Sequence, residues 1–367
     1  MTDSIERFCA FEPAPASLVD VETPVPVIDL DIVERNATLW QAFCDEVGIA
    51  NRPHIKTHKL VALARYQLAL GARGITVQKL GEAEVMADAG VSDMLLTFNV
   101  VGASKLRRLA ALARRTAISV VADSVAVVEG LAMAGTEAGR PITVLVECDT
   151  GAGRNGVQTP QAAADLAVQI ASFPSLCYGG LMTYGRPGMR AQAVAFLTQA
   201  RRLVGDAGLH TAIVSIGGSP DMRSREGLSV ATEYRAGTNI YFDRSLVARG
   251  VCGYGDCALT VLSTIVSVPT PRRCIVDAGS KALTSDLLGL TGYGVVPAMN
   301  EAVVYDVNEE HGYLDTTRVG RQPAVGDLVR IVPNHVCPVT NLYDRVLAVR
   351  GEDVLGYLRV EARGLVT

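Results

Sequence analysis

The strongest constraint in this sequence is a rhythm. Short apolar runs of β character recur through its first two thirds, and each is followed by a stretch with helical spacing. The runs are 54–56, 74–78, 93–98, 117–122, 142–148, 178–183, 212–216 and 233–236, eight in all. Between them lie alanine- and leucine-rich segments such as 81–89, 103–115, 160–172 and 190–207. A chain that alternates β and α in this way lays its strands parallel and covers them with helices. Eight such units predict an α/β fold with a closed (β/α)8 TIM-type barrel over 31–244. An open doubly wound sheet is the alternative. It would carry a glycine-rich dinucleotide turn after its first strand, and none is present.

The texture changes near residue 245. Runs 258–268, 273–277, 302–306, 328–332 and 345–350 are β-rich, short, and separated by Gly, Pro and Asp. A smaller, mainly β domain is expected over 245–367. The early run 25–30 is assigned to it, because it precedes the helix expected over 31–47. Residues 1–24 read as an irregular arm. The 367-residue length accommodates one large domain and a smaller one. Net charge is −4 and the basic residues are dispersed, so neither nucleic acid nor an anionic membrane is expected as partner. Eight cysteines lie scattered, with no Cys-x-x-Cys, and the charged, proline-bearing start does not read as a signal peptide. A reduced, cytoplasmic protein is expected, and no run approaches the length of a membrane span.

Chemistry concentrates in a few stretches. Arg52-Pro-His-Ile-Lys-Thr-His-Lys59 places two lysines and two of the five histidines together. On a strand, alternation would turn His54 and Lys56 to one face and Ile55 to the other. A lysine inside a barrel is costly unless its ammonium is neutralised or used, and one use is a Schiff base with an aldehyde. The competing reading is a basic strand end with Lys56 and Lys59 in water. Ser215-Ile-Gly-Gly-Ser-Pro220 would form an anion cradle from Gly217, Gly218 and Ser219, with Gly237 and Thr238 on the next loop, where many barrels bind phosphate. A plain glycine-rich turn is the alternative. Glu147-Cys-Asp-Thr-Gly-Ala-Gly-Arg-Asn-Gly156 carries Arg154, suited to a phenolate or carboxylate, or else to bracing a turn with an aspartate. His335 and Cys337 would share one face of an extended backbone. Imidazole and thiolate favour zinc, and two ligands suit an open catalytic site. A buried Cys beside a satisfied His is the other reading.

Four separated motifs stand in order: Arg52 to Lys59, Gln78-Lys-Leu-Gly-Glu-Ala-Glu84, Asp149-Thr-Gly-Ala-Gly-Arg154 and Gly217-Gly-Ser-Pro220. With Asp277-Ala-Gly-Ser-Lys-Ala282 and Asn334-His-Val-Cys-Pro338 they resemble fold-type III pyridoxal phosphate enzymes. The family is that of D-threonine aldolase and D-serine dehydratase, in the alanine-racemase-like group. The resemblance implies pyridoxal 5'-phosphate held by Lys56, with Lys59 as the competing lysine. It places Gly217, Gly218 and Ser219 at the phosphate and Arg154 near the pyridine 3-oxygen. Tyr184 and Lys281 are further candidates for the site. It also implies a homodimer, a small D-amino acid substrate, and a divalent metal at His335 and Cys337, zinc favoured, with manganese or magnesium as alternatives.

Within the family, aldolases resemble His-Cys-Asp at the metal and dehydratases His-x-Cys. The order His335-Val336-Cys337 therefore leans towards a D-serine or D-3-hydroxyaspartate dehydratase, giving a 2-ketoacid and ammonia. A D-threonine-type aldolase, giving glycine and an aldehyde, is the alternative. An amino-acid racemase is the second; it would need a second base and no metal. A non-catalytic pyridoxal phosphate carrier resembles the barrel alone.

Overall fold

Among the residues described by the computed structural model, 4–367, eight parallel strands pair side by side. Their spatial order is Ala50–Asn51, Glu233–Arg235, Ile213–Gly217, Leu176–Thr183, Ile142–Cys148, Ala117–Ala122, Asp93–Leu96 and Ile75–Val77. The ring closes where His54 bridges Thr76 and the Thr76 amide donates to the Pro53 carbonyl at 2.8 Å. The predicted barrel is therefore present. Its helices include Leu80–Asp88, Ala103–Ala113, Val125–Ala138, Pro160–Ala171 and Arg190–Asp206. Alanine-rich faces with leucine at helical spacing are what let these helices lie close on the strands.

The barrel interior is apolar at one level and charged at another. Leu95, Val121, Leu145 and Met182 form one packed cluster from four consecutive strands. Elsewhere Arg52, buried, donates from Nε to Glu233 at 2.8 Å and from Nη1 to Asp93 at 2.8 Å. Glu233 accepts in turn from the Ser215 hydroxyl at 2.6 Å, and Ser215 accepts from Arg235 at 2.6 Å. The first strand is thus pinned to the last. Gly74 makes room for this arrangement, since a Cβ there would lie 2.6 Å from Arg52 Nη1.

A second sheet of nine strands is almost wholly antiparallel. The long strand Leu259–Thr270 pairs with both Leu328–Pro333 and Arg273–Val276. The pairing then runs on through Gly312–Asp315, Ala302–Val307 and Gly294–Val296, so six strands close on themselves. Val25–Asp29 joins this sheet, antiparallel to Leu259–Thr270 and parallel to Arg345–Arg350. Asp353–Arg359 forms the outer edge, and the arm covers it: Glu12 and Tyr357 exchange backbone hydrogen bonds at 2.8 and 2.9 Å. Residues 1–3 of the arm lie outside the described residues. Gly294–Val296, Gly312–Asp315 and Asp353–Arg359 have too little alternation to stand out in the sequence.

By packing, the chain divides into two units. The β unit comprises the chain through Leu39, Thr57–Tyr66 and Thr238–Gly364. The barrel unit comprises Trp40–Lys56, Gln67–Gly237 and Leu365–Thr367.

Replacing Arg52 with Met would strand the Glu233 carboxylate, 1% exposed, without its guanidinium. A stability loss of about 3–5 kcal/mol is expected in urea unfolding. A loss below about 1 kcal/mol would mean that Ser215 and Arg235 suffice for Glu233.

Candidate active site

Five sequence candidates sit at the C-terminal ends of barrel strands, the end where barrel enzymes place their chemistry. Lys56 follows the first strand, Arg154 follows Ile142–Cys148, and Tyr184 follows Leu176–Thr183. Gly217 closes its own strand, and Gly237 follows Glu233–Arg235. Lys56 is not on a strand, contrary to the alternation argument. Ile55–Thr57 is a 3-10 turn. The cause is local: the Lys56 amide donates back to His54 Nδ1 at 3.4 Å, while His54 keeps a ladder bond to Ala236. Ile55 is buried and Lys56 half-buried. With Nδ1 accepting, His54 Nε2 carries the proton and donates to Gln78 Oε1 at 3.1 Å. Lys59 is buried in the β unit at positive φ, its Nζ 3.4 Å from the Ala362 carbonyl.

The glycine-rich loop is a shaped concavity. A Cβ on Gly217 would lie 2.7 Å from the Arg235 carbonyl, so only glycine fits. Gly218 has φ +122°, a conformation that favours glycine, and its open side faces Tyr184. The Gly237 amide donates to the Ser219 hydroxyl at 3.3 Å, which draws the two loops together. Tyr234 donates to the Gly218 carbonyl at 2.9 Å and accepts from Arg190 at 2.9 Å.

Arg154 lies with its guanidinium carbon 5.0 Å from the centre of the Tyr184 ring and its Nη2 3.7 Å from Glu147 Oε1. Glu147 is buried at the end of its strand, and one carboxylate oxygen has no hydrogen-bond partner. Burial pushes its pKa up to about 7 against the pull of Arg154 and Arg235. Arg235 lies on the last barrel strand, Glu233–Arg235. Its guanidinium is buried, donating to Ser215 and to the Thr183 carbonyl at 2.8 Å, and burial brings it down to about 10. Glu233 and Arg235 are two apart on a strand, so both face inward. That spacing was the available signal.

In the β unit, His335 caps the helix Val336–Leu342, and Cys337 lies in its first turn. The sequence reading had both on extended backbone; only His335 is extended. His335 Nδ1 donates to Asp286 at 2.7 Å, which turns Nε2 to the opposite side of the ring. Cys337 Sγ lies 3.2 Å from the Thr57 hydroxyl and 3.9 Å from that of Thr238. Thr57 and Thr238 are the residues that follow Lys56 and Gly237 in the chain. Burial disfavours a charged His335, yet Cys337, Asp286 and Asp243 outweigh it and push its pKa up to about 9. The pocket therefore stabilises positive charge. Asp286 was not foreseen; it is 49 residues away and nothing local marks it. Among the described residues no group of three or more His, Cys, Asp and Glu could hold a metal ion. Lys281 is exposed in an ion pair with Glu310, and Asp277 accepts from Ser263 and Thr264 within the sheet.

Residues 28–245 match the family profile of the alanine racemase N-terminal domain, and residues 258–349 match a serine dehydratase domain profile. The chain is 34% identical to a D-threonine aldolase of an Arthrobacter species, over 95% of this chain and 94% of that one. It is 32% identical to the D-threo-3-hydroxyaspartate dehydratase of a Delftia species, over 88% and 92%. The crystal structure of a Filomicrobium marinum D-threonine aldolase superposes with a TM-score of 0.90 at 32% identity, covering 97% of this chain and 100% of that one. The Delftia enzyme superposes at 0.85 with 31% identity, covering 94% and 99%. It has also been solved with a histidine replaced by alanine, and in a metal-free form with a cysteine two positions further on replaced by alanine. No helix among the described residues is long and apolar enough to cross a membrane.

Glu147 gives a pH prediction. Its folded pKa of about 7 exceeds the ordinary 4.5, so the folded state binds more protons between those values. Its contribution is therefore present at low pH and lost as pH rises through that window. Glu147→Gln should flatten this slope in thermal melts of the cofactor-free protein and raise Tm above pH 7. An unchanged slope would assign the pH dependence to other groups.

Proposed function

Because this chain belongs to the alanine-racemase-like family of D-threonine aldolases and D-serine dehydratases, we propose that it is a pyridoxal phosphate-dependent lyase of D-3-hydroxy amino acids that eliminates water from a D-serine or D-3-hydroxyaspartate type of substrate. The products are a 2-ketoacid and ammonia. The observation that carries the dehydratase reading is the pair His335 and Cys337. It has the residue types and spacing of the two positions altered in the Delftia dehydratase, whose cysteine variant is metal-free.

The residues fit both groups this reading requires. Gly217, where a Cβ has no room, with Gly218, Ser219, Gly237 and Thr238, would hold the phosphate of the cofactor. Arg154 and Tyr184 would line its ring, and Lys56 would hold its aldehyde. The soft thiolate and imidazole suit zinc over manganese or magnesium, and two protein ligands leave positions for water and substrate. When bound, the cofactor supplies an electron sink at the substrate's α-carbon and the metal a Lewis acid at its β-hydroxyl.

The chain's own residues do the rest. Lys56, held on a turn beside His54, takes the α-proton at Nζ. Asp286 fixes the His335 ring so that Nε2 points away from it. The Thr57 hydroxyl, 3.2 Å from the Cys337 sulfur, holds that side chain in place. Buried Arg235 adds fixed positive charge inside the barrel. The working form is expected to be a cytoplasmic homodimer.

One observation favours a second reading. The 34% identity to a D-threonine aldolase spans nearly the whole chain, and retro-aldol cleavage uses the same residues with a base at the hydroxyl proton. Product analysis with D-threonine and D-3-hydroxyaspartate, with and without chelator, separates them. Ammonia and a 2-ketoacid, lost on chelation, are expected. Glycine and an aldehyde would replace the dehydratase reading with the aldolase.

Two variants probe the assignments. Borohydride should fix the cofactor to Lys56, and Lys56→Ala should abolish both labelling and visible absorbance; a labelled Lys59 would overturn this. Asp286→Asn should weaken zinc binding by about 10–100-fold in competition titrations, as loss of a ligand-orienting carboxylate does. Unchanged affinity would remove Asp286 from the site.

A further inference from the structure

Glu147 is a buried titratable group that the proposed reaction leaves unused. It is the next-to-last residue of the strand Ile142–Cys148. Leu145, two residues before it, belongs to the packed cluster inside the barrel, and alternation turns Glu147 to the same face. Its side chain therefore lies inside the barrel, towards the strand ends where barrel enzymes place their chemistry. It is 1% exposed, and its Oε2 has no hydrogen-bond partner among the described residues. A carboxylate so placed is costly unless a cation compensates it.

The loop that follows brings a cation back to it. The Val157 amide donates to the Glu147 carbonyl at 2.9 Å and the Asp149 amide to the Val157 carbonyl at 3.1 Å, so 150–156 is a closed excursion from the strand end. Gly156, at φ +122°, permits the return, since a Cβ there would lie 2.5 Å from the Asp149 amide nitrogen. Within the loop the Asp149 carboxylate accepts from the Gly151 and Gly153 amides at 3.0 and 3.1 Å. Arg154 is thereby turned back beside Glu147. Its Nη2 lies 3.7 Å from Glu147 Oε1, its Nε donates to Asn155 Oδ1 at 2.9 Å, and its guanidinium carbon stands 5.0 Å from the centre of the Tyr184 ring. Arg154 is itself exposed. An exposed arginine on a glycine-rich loop has many conformations open to it, and a buried carboxylate selects among them.

We propose that Glu147 is a positioning residue whose buried carboxylate anchors the Arg154 guanidinium where Arg154 is to line the ring of pyridoxal phosphate. This rests on the cofactor reading given under the proposed function. The anchor holds only while Glu147 is ionised. The charged groups facing Glu147 are Arg154 on its own loop, Arg235 on the last barrel strand and Asp123 after the strand Ala117–Ala122. The adjoining strand Leu176–Thr183 carries no charged residue. The two arginines draw the Glu147 pKa down and Asp123 adds to burial in raising it, with a balance of about 7. The pair with Arg154 is therefore complete above that pH and lost below it.

The test is a double-mutant cycle on cofactor affinity, read from visible absorbance as the full-length protein is titrated with pyridoxal phosphate. Glu147→Gln keeps the shape and removes the charge. It should weaken binding about 10-fold at about pH 8.5 and less than about 2-fold at about pH 5.5, where wild-type Glu147 is protonated as well. Glu147→Asp keeps the charge and should recover part of the loss. In an Arg154→Gln background, Glu147→Gln should cost nothing more, because the group it positions is gone. Should Glu147→Gln fail to fold, Glu147→Asp and Arg154→Gln complete the same cycle. Three results would overturn the proposal: unchanged affinity at the higher pH, an equal loss at both pH values, or full additivity in the double variant. A wild-type protein that takes up no pyridoxal phosphate would overturn the cofactor reading, and the proposal with it.

Discussion

A buried guanidinium holds the barrel shut. Arg52 leaves the first strand, which is only two residues long, and reaches both Asp93 and Glu233. A strand so short contributes few ladder bonds, so the closing seam depends on side chains. Glu233 hands the charge on through Ser215 to Arg235, and each of these groups is satisfied by the next. Such a chain stabilises only when complete, because any single gap leaves a buried charge. Its position matters for chemistry too. Lys56 follows Arg52 by four residues, and Gly217 and Gly237 each follow a member of the chain, Ser215 and Arg235, by two.

The candidate site repeats this logic with smaller parts. His54 turns the backbone at Lys56 and is itself fixed by Gln78. Asp286 orients His335, and Thr57 and Thr238 flank the Cys337 sulfur. Each candidate group is held by a neighbouring side chain. Positioning of this kind sets catalytic geometry more tightly than the reactive residues alone can.

The sequence was most legible where signal is local. Run 142–148 and strand Ile142–Cys148 coincide, and the helix expected over 31–47 is observed as Leu30–Val47. Glycines at 217 and 218 announced a loop that only glycine can form. Legibility failed where a side chain overrode the pattern. Alternation put Lys56 on a strand, but the His54 ring captured its amide and made a turn. Cys337 was read as extended, but His335 caps a helix there.

Periodicity determined the barrel and the β-rich second half, because which face a side chain takes depends only on its near neighbours in the chain. Residue types and spacing likewise singled out a candidate lysine, a candidate anion cradle and the His-x-Cys pair, each beside a plainer structural reading. Only the tertiary structure decided what surrounds them. Glu233 meets Arg52 across 181 residues and Asp286 meets His335 across 49. It also decided that Thr57–Tyr66 packs with the β unit while Lys56 stays with the barrel. Burial and charge are properties of neighbours in space, and no local pattern carries them.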